Sequence, residues 1–361
     1  MEAYRRHKPG EICLDEVVET FALPQENALQ TAFLMEQYRS TELEKPVVKQ
    51  LHLYVQEIAS RYRDENPFHN FAHACHVTMS VHKLMKRVYS DSTDELALGG
   101  DSKSKRSATY GILTSDPLTL FAIVFSGLIH DVDHRGLSNG QLAKEDPALA
   151  GKYRNKCIAE QHSFDVAWDL LMSSSFDDLR KAIFPTLPEQ MRFRQVVVGT
   201  VLATDIFDKE MGDMRKARWD RIFDNEDEEE DDVARNTRAT IVLEHIIQAS
   251  DVSHTMQHWH VYTKWNRRLF EEMYLAYKKG RMETDPATFW YEGELKFFDN
   301  YVIPLARKLR ECYVFGVSSD EYLQYAVSLF GWLDFLGSME TNNVISHFSK
   351  VFEPLRVGSQ G

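Results

Sequence analysis

The sequence contains little cysteine, fewer basic than acidic residues, and no long apolar run. Only four of its 361 residues are cysteine, and no two form a C-x-x-C pair, so reduced thiols are favoured over a disulfide framework. Lysine and arginine number 42 against 55 acidic residues, which gives a formal net charge of −13. Such a chain offers no basic footprint for DNA or RNA, and we predict that it does not bind nucleic acid.

The apolar segments are too short to cross a bilayer. The longest mainly apolar stretch runs from Leu118 to Ile129, well below the length of a transmembrane helix. The first residues contain no apolar signal core. We therefore expect no direct membrane contact by this chain, and a location in the cytoplasm, either alone or as the cytosolic domain of a larger protein, a membrane-bound one included.

Strand-like alternation is also scarce, whereas apolar residues recur at helical spacing along most of the chain. Proline and glycine fall mainly between these helical patterns. The patterns predict an all-α fold, a compact multi-helix bundle formed by one domain, 1–361. The clearest amphipathic segments are 28–41, 47–61, 75–89, 159–172, 192–204, 236–250, 259–279, 291–310 and 320–336.

Two polar segments interrupt the helical patterns. Segment 90–115 is rich in Ser, Thr, Asp, Gly and Lys, and segment 224–232 contains eight acidic residues. Compositions of this kind are typical of solvated surface loops. An acidic interaction patch at 224–232 is the less frequent alternative for such a run.

Histidine and aspartate are placed in a pattern that suggests metal binding. His69 and His73 are followed by the run His130-Asp131-Val132-Asp133-His134 and, far downstream, by Asp251. If both short segments are helical, the two histidines of each segment share one face. Imidazole with carboxylate suits zinc, while carboxylates with waters suit magnesium or manganese. The combination predicts a two-metal hydrolase that acts on a phosphoester.

Ordinary core or surface packing is the alternative for each of these residues. A single histidine is more often a packing residue than a ligand, because short motifs occur by chance. Asp131, however, follows the apolar run 120–129, so we expect it in the interior. An unpaired charge is costly to bury there, which favours the metal interpretation for the set as a whole.

Taken together, the motifs resemble the catalytic domain of class I cyclic nucleotide phosphodiesterases. The similarity covers about residues 15–310, and segment 311–355 matches only loosely. It is carried by Phe68–Ala74, His130–Gly136 with Asn139, Thr204-Asp205, Ala249–Ser253, Tyr262, Trp265 and Phe297–Leu305. The resemblance implies hydrolysis of the 3′,5′-cyclic phosphodiester of cAMP, cGMP or both to the nucleoside 5′-monophosphate, which ends a cyclic nucleotide signal.

The resemblance also implies roles for the polar residues. A zinc ion would be held by His73, His130, Asp131 and Asp251. Asp131 would bridge to a second ion, usually magnesium, with manganese as an alternative. A hydroxide between the ions would attack phosphorus, and His69 would protonate the departing ribose oxygen while Glu160 steers its imidazole. The phosphate and the metal-bound waters would be oriented by His134, Thr204 and Asp205.

A base pocket is the last feature that the resemblance implies. In the family, an aromatic ring and aliphatic side chains hold the purine, and a glutamine reads its edge. The ring matches Phe297, and Leu269 and Ile206 would form the opposite wall and floor, although plain core packing is the commoner fate of such residues. The remaining candidates for base contacts are Tyr262, Trp265 and His254.

The glutamine of the family is replaced by Glu294 in this sequence. An ionised carboxylate only accepts hydrogen bonds and would fit the N–H donors of guanine. Burial would instead favour a protonated Glu294, which also donates and permits adenine. A Glu294 turned to solvent would leave the base to be read by other groups. Phe68, Lys209 and His254 also depart from residues common in the family and bear on specificity.

Two rival functions remain open from the sequence. Another metal-dependent phosphohydrolase of the broader His-Asp superfamily would explain His130-Asp131 but not the motifs at 68–73 and 297–305. A cyclic-nucleotide sensor without turnover is opposed by the apparently complete metal set and by His69. The expected partner is the cyclic nucleotide substrate, and the sequence leaves a homodimer open.

Overall fold

The computed structural model describes residues 12–23, 42–91, 116–223, 232–312 and 320–338. Within these ranges the chain forms helices and turns, with no β-strand, which confirms the all-α prediction. The predicted helix at 28–41 and most of both polar segments lie outside the described residues. No helix in the described ranges has the length and apolar character that a membrane span requires.

The described residues form fourteen α-helices, α1 to α14 in chain order. They are α1 (Lys45–Ala59), α2 (Phe71–Asp91), α3 (Pro117–Ile129), α4 (Asn139–Glu145), α5 (Pro147–Lys152), α6 (Ile158–Leu171), α7 (Asp177–Ile183), α8 (Leu187–Leu202), α9 (Lys209–Phe223), α10 (Asp232–Asp251), α11 (Trp259–Lys278), α12 (Trp290–Phe297), α13 (Ile303–Glu311) and α14 (Asp320–Ser338). Short 3-10 turns lie at Cys13–Glu16, Ser174–Phe176, Ser253–Met256 and Pro286–Thr288, and a π-helical segment lies at Phe298–Val302.

The core is organised around α3, whose sequence is apolar on nearly every face. A helix of that kind is stable only when other helices surround it, and α3 packs against α2, α8 and α10. Its start is fixed by Asp116, whose side chain accepts a hydrogen bond from the N–H of Thr119 at 3.2 Å, and by Pro117 in the first turn. The helix ends at Ile129, so the residues that follow it emerge from the centre of the bundle.

The helix α10 is the second central element. Its residues from Ala239 to Ser250 are all buried, and it packs against α2, α3 and α13. It ends at Asp251. The bundle therefore brings the end of α10, the end of α3 and the start of α2 to one region of the molecule.

The predicted helix 291–310 is interrupted in the structure. It consists of α12, the π-helical segment and α13. Pro304, in the first turn of α13, has no backbone N–H to donate, and its ring crowds the carbonyl four residues earlier. The wider π-turn directly before α13 accommodates this, and it changes the direction in which the residues of 298–302 project.

Candidate active site

Three helix ends meet at one point of the fold, and each carries a polar side chain. His73 lies in the first turn of α2, His130 directly follows α3, and Asp251 is the last residue of α10. Nε2 of His73 is 3.0 Å from Oδ1 of Asp251, and Nε2 of His130 is 3.5 Å from the same oxygen. One ligand atom from each side chain lies within 4.8 Å of the others. Groups this close can share one cation.

Asp131 joins this group from the turn after α3. Its Oδ2 atom is 3.2 Å from Nε2 of His130 and 3.7 Å from Nε2 of His73. The structure thus brings together all four residues that the sequence predicts as metal ligands, although His73 and Asp251 are 178 positions apart.

The imidazole of His130 is oriented as that of a metal ligand would be. Its Nδ1 atom lies 3.0 Å from the carbonyl oxygen of Gly127 and donates to it, so Nε2 is the atom that faces the carboxylates and is available to bind a cation. This Nε2 is buried and has no hydrogen-bond partner among the described residues. Two imidazoles and two carboxylates are a donor set that fits a divalent ion such as zinc.

The carboxylates make this point of the fold favourable for positive charge. Burial opposes protonation of His130, but the charge of Asp131 and then that of Asp251 raise its pKa well above the usual range. Against the effect of burial, the neighbouring imidazoles lower the pKa of both aspartates. Both acids are therefore ionised at neutral pH and attract a cation.

A second group of side chains lies beside the first, with His69 at its centre. Nδ1 of His69 contacts Oε1 of Glu272, and Oε2 of Glu272 accepts hydrogen bonds of 3.0 Å from the N–H groups of Phe68 and His69. Burial disfavours the charged imidazole, but the charge and hydrogen bond of Glu272 outweigh it and raise the pKa of His69 to about 9. His69 is thus a cation at neutral pH, and its second ring nitrogen is directed away from Glu272.

The prediction that Glu160 steers His69 is wrong, because Glu272 occupies that position. Glu160 instead accepts a hydrogen bond of 2.9 Å from Nδ2 of Asn139, which also donates to Asp205 at 3.0 Å. Burial, followed by the charge of Asp205, raises the pKa of Glu160 to about 8. The charge of Asp131 acts in the same direction, so the three acids lie within electrostatic reach of one another.

The turn after α8 holds Thr204 and Asp205 in fixed orientations. Oδ1 of Asp205 accepts hydrogen bonds from the N–H groups of Phe207 and Asp208 at 3.1 and 3.2 Å. The hydroxyl of Thr204 donates to the carbonyl of Val201 at 2.8 Å. The other carboxylate oxygen of Asp205 therefore stays hydrogen-bonded to Asn139, which also binds Glu160.

The histidines do not form the pairs His69–His73 and His130–His134 that helical spacing predicts. His69 precedes α2, and α3 ends before His130, so neither pair shares a helix face. The ring of His69 lies 4.0 Å from that of His134, whereas the rings of His73 and His130 are 5.5 Å apart. Burial and the charge of His69 lower the pKa of His134 to about 4, which keeps this second imidazole neutral.

Asp133 explains why the segment after α3 is not helical. Its φ is +59°, in the left-handed region that ends a right-handed helix. Its carboxylate accepts a hydrogen bond from Nε of Arg63 and lies 2.8 Å from Nε2 of His162. These tertiary contacts fix the turn that places Asp131 and His134 on different sides of the site.

Two of the candidate base residues, Trp265 and His254, lie next to the aromatic side chains of the site. The ring of Trp265, on α11, is 5.5 Å from that of His73 and 5.8 Å from that of Phe68. His254 lies 6.4 Å from the same indole, and burial lowers its pKa to about 3, so it is neutral. Phe297 stacks on Tyr301 at 5.4 Å.

Glu294 is buried and does not turn to solvent, which excludes that alternative. The hydroxyl of Tyr262 donates to its Oε2 at 2.6 Å. Leu269 packs on the small cluster of Phe270 and Trp290, in line with the core-packing alternative. Ile206 is half-buried in the turn after Asp205.

Sequence reasoning missed Glu272, although the sequence contained a signal for it. Tyr262, Trp265, Leu269, Glu272 and Ala276 follow one another at spacings of three and four, which is the pattern of the buried face of a helix. A carboxylate on such a face needs a partner. That partner is His69, 203 positions away.

The comparison with known families covers most of this site. The description of the matching family is 3′5′-cyclic nucleotide phosphodiesterase, and the match extends over residues 68–317. The chain belongs to this family. Membership confirms the resemblance that its motifs showed, and it accounts for the joint presence of the segments that carry His69, His130, Asp251 and Phe297.

Individual relatives are similar at lower levels. A probable 3′,5′-cyclic-AMP phosphodiesterase of Caenorhabditis elegans is 28% identical over 232 residues, covering 61% of this chain and 29% of the relative. A cGMP-specific phosphodiesterase of Dictyostelium discoideum is 23% identical over 267 residues, covering 70% and 49%. The chain thus spans less than half the length of either protein.

One solved structure supports the fold. The crystal structure of the phosphodiesterase domain of Salpingoeca rosetta rhodopsin phosphodiesterase matches with a TM-score of 0.59 and 17% identity, over 98% of this chain and 97% of that one. At this identity the likeness establishes the shared all-α architecture.

Proposed function

We propose that this chain hydrolyses the 3′,5′-cyclic phosphodiester of cAMP, cGMP or both to the nucleoside 5′-monophosphate. The observation that carries the proposal is the convergence of His73, His130 and Asp251 beside a separate, protonated His69. Family membership supports it, since the relatives with printed activities act on cyclic AMP or cyclic GMP.

Two divalent cations, zinc and magnesium with manganese as an alternative to the latter, are the expected cofactors. The first would be held by His73, His130, Asp131 and Asp251. Asp131 would also face the second, toward which the acidic group of Glu160 and Asp205 adds negative charge. Bound there, the two ions would lower the pKa of a water molecule and offset the charge of the phosphate.

His69 is proposed as the general acid. When the bond from phosphorus to the ribose 3′ oxygen breaks, that oxygen needs a proton. The raised pKa of His69 keeps a proton on the imidazole, and Glu272 holds Nδ1, so the proton on Nε2 is the one transferred. Proton donation of this kind contributes about 10²–10⁴-fold to the rate. His134, being neutral, would donate a hydrogen bond to the phosphate without adding charge.

The purine would occupy the region next to Trp265. We infer that Phe297 lies against the base and that Glu294, held by Tyr262, reads its edge. His254, Leu269 and Ile206 are proposed as further contacts on the pocket wall. His254 has a buried Nδ1 without a hydrogen-bond partner among the described residues, which a base would supply. The domain 1–361 and a homodimer stay predictions.

Steady-state kinetics on both cyclic nucleotides, with magnesium and zinc added, test the proposal. We expect 5′-monophosphate as the product of at least one of them. A 2′,3′-cyclic nucleotide, a linear dinucleotide and a cyclic dinucleotide serve as comparison substrates for the broader phosphohydrolase alternative. Tight binding of cAMP or cGMP without turnover would contradict the proposal and favour a sensor.

A further inference from the structure

Glu294 is a buried carboxyl group whose charge the proposed reaction does not use. It lies on α12 and is 8% exposed. Its hydrogen bond from the hydroxyl of Tyr262, at 2.6 Å, comes from a side chain that is itself 1% exposed. The pair is therefore a fixed unit of the interior, in which a neutral donor supports the acid.

No cation among the described residues is placed to neutralise this acid. Burial raises the pKa of Glu294 to about 7, and the hydrogen bond from Tyr262 acts against that rise. The described ionisable side chains nearest to it, on its own segment, at the start of α11 and on α14, are exposed or uncharged. They are Glu292, Lys296, Asp299, His258, His260, Lys264, Tyr322 and Tyr325. Farther along α11, Arg267 pairs with Glu271, Arg268 lies over the ring of Trp265, and Glu272 contacts His69. Nζ of Lys296, the nearest cation along α12, lies 3.9 Å from Oε2 of Glu292.

The position of the pair connects it to the site. Tyr262 lies one helical turn before Trp265 on α11, and the indole of Trp265 contacts His73 and His254. Glu294 is thus separated from the candidate metal ligand His73 by one hydrogen bond, one helical turn and one ring contact. A nucleotide whose phosphate lies at the histidines would extend its base toward this part of the pocket.

We propose that Glu294 selects between guanine and adenine through its protonation state, so that the preference for cGMP over cAMP rises with pH. The inference rests on the proposed function and deepens it. A glutamine amide at this position would carry the same donor and acceptor at every pH, whereas a carboxyl group gains or loses a donor.

The two protonation states differ in hydrogen bonding. An ionised carboxylate offers about four acceptor sites, of which Tyr262 uses one, and the others accept the N1–H and N2–H₂ donors of guanine. Adenine would turn its N1 lone pair toward that negative charge. A protonated Glu294 donates its O–H to adenine N1, while its other oxygen accepts from the N6–H₂ group. With guanine, the protonated acid would donate its O–H to O6 and accept N1–H, so it serves both bases and only the ionised form disfavours adenine.

The test is the ratio of kcat/KM for cGMP to kcat/KM for cAMP, measured between about pH 6 and pH 8. Both substrates are assayed with the same enzyme sample, so the effects of pH on metal binding and on His69 largely cancel in the ratio. We expect the ratio to rise about tenfold or more across this range. Ionisation of Glu294 removes the hydrogen bond to adenine N1 and gives guanine a hydrogen bond to a charged group.

Two variants test whether the pH dependence of the ratio arises from Glu294 and Tyr262. Glu294→Gln replaces the acid by an amide that does not titrate, and its ratio should be independent of pH. Tyr262→Phe removes the donor that favours the ionised form, and its ratio should rise at higher pH than in the unaltered chain. Circular dichroism of each variant checks that the helices are retained.

The outcomes separate this inference from the proposed function. A ratio that stays flat in the unaltered chain, while either nucleotide is hydrolysed, overturns the inference and leaves the proposed function intact. A ratio that still rises with pH in Glu294→Gln assigns the effect to another group and also overturns it. Absence of hydrolysis with both nucleotides at every pH contradicts the proposed function and the inference together.

Discussion

Glu272 holds His69 through both oxygens of its carboxylate. Oε1 contacts Nδ1 of the imidazole, and Oε2 accepts the backbone N–H groups of Phe68 and His69. The backbone therefore fixes the acid, and the acid fixes the orientation and charge of the ring. Despite burial, the charge of His69 lowers the pKa of Glu272 to about 2, so the two groups form an ion pair at neutral pH.

Glu272→Gln is expected to shift the alkaline limb of the kcat profile to lower pH. His69 acts in its protonated form, so activity is lost as pH rises through its pKa. The charge of Glu272 raises that pKa, and an uncharged amide removes this effect. The measurement is kcat from about pH 6 to pH 10, a range that spans the ordinary and the raised pKa of histidine.

Glu271→Gln is the matched control for this variant. Glu271 is the neighbouring acid on α11, and it pairs with Arg267, one turn earlier on the same helix, at 3.1 Å. Its removal should leave the alkaline limb in place. The same limb in Glu272→Gln and in the unaltered chain would contradict the role of Glu272.

Asp251→Ala and His69→Ala should separate metal binding from proton transfer. Asp251→Ala removes the oxygen that lies near both His73 and His130, so metal and activity should be lost together. His69→Ala leaves that group intact and should keep the metal, while the rate falls by about 10²–10⁴-fold. The measurement is bound metal per chain by elemental analysis, together with kcat. Full activity in Asp251→Ala would refute the metal assignment.

Gly136→Ala should lower activity without removing metal. Gly136 has a φ of +66°, and an added Cβ would lie 3.0 Å from Oδ1 of Asn66 and 3.3 Å from Cγ of Glu272. Asn66 donates to the carbonyl oxygens of His69 and His134 at 3.1 and 2.7 Å. Small displacements of a catalytic group cost up to about a hundredfold, so we expect a loss of ten- to a hundredfold in kcat.

The control for this variant is Gly140→Ala, four positions along the chain. Gly140 lies on α4, and no atom lies within 4 Å of the added Cβ. Alanine is favoured over glycine within a helix by about 1 kcal/mol, so Gly140→Ala should retain activity. Equal losses in both variants, or none in Gly136→Ala, would contradict the proposed contact with Glu272.

Long regular patterns in the sequence predict helices well, and short ones do not. The segment predicted as 259–279 is found as Trp259–Lys278, because its amphipathic repeat continues for five turns and buries one face. The segment at 130–134 fits a helical spacing but forms a turn. Its conformation is set by Arg63 and His162, which bind Asp133 from distant parts of the chain.

The candidate site likewise contains residues that the sequence predicts and residues that it does not. The residues that the sequence predicts as metal ligands belong to recognisable motifs, and the bundle brings them together. Glu272 belongs to no such motif, and its partner His69 lies 203 positions away. The pairing of His69 with His134 likewise depends on how α2 and α3 are packed, which local periodicity does not specify.

Arg218→Ala is expected to destabilise the fold by about 3–5 kcal/mol, because it leaves a buried carboxylate without its main partner. Arg218 on α9 contacts Glu244 on α10, and the two residues are 2% and 1% exposed. Arg218 also donates to the carbonyl oxygen of Glu19 at 2.8 Å. The pair therefore joins α10, which ends at Asp251, to its neighbours.

Lys216→Ala is the control on the same helix, where Lys216 pairs with Asp220 at 2.5 Å and is 70% exposed. An exposed pair contributes about 0–1 kcal/mol. Urea unfolding followed by circular dichroism gives the free energy of unfolding of both variants. If Arg218→Ala costs no more than Lys216→Ala, the buried pair does not anchor α10. In the folded fraction of Arg218→Ala, metal content should stay normal, since the pair supports the helix and does not contact the candidate ligands.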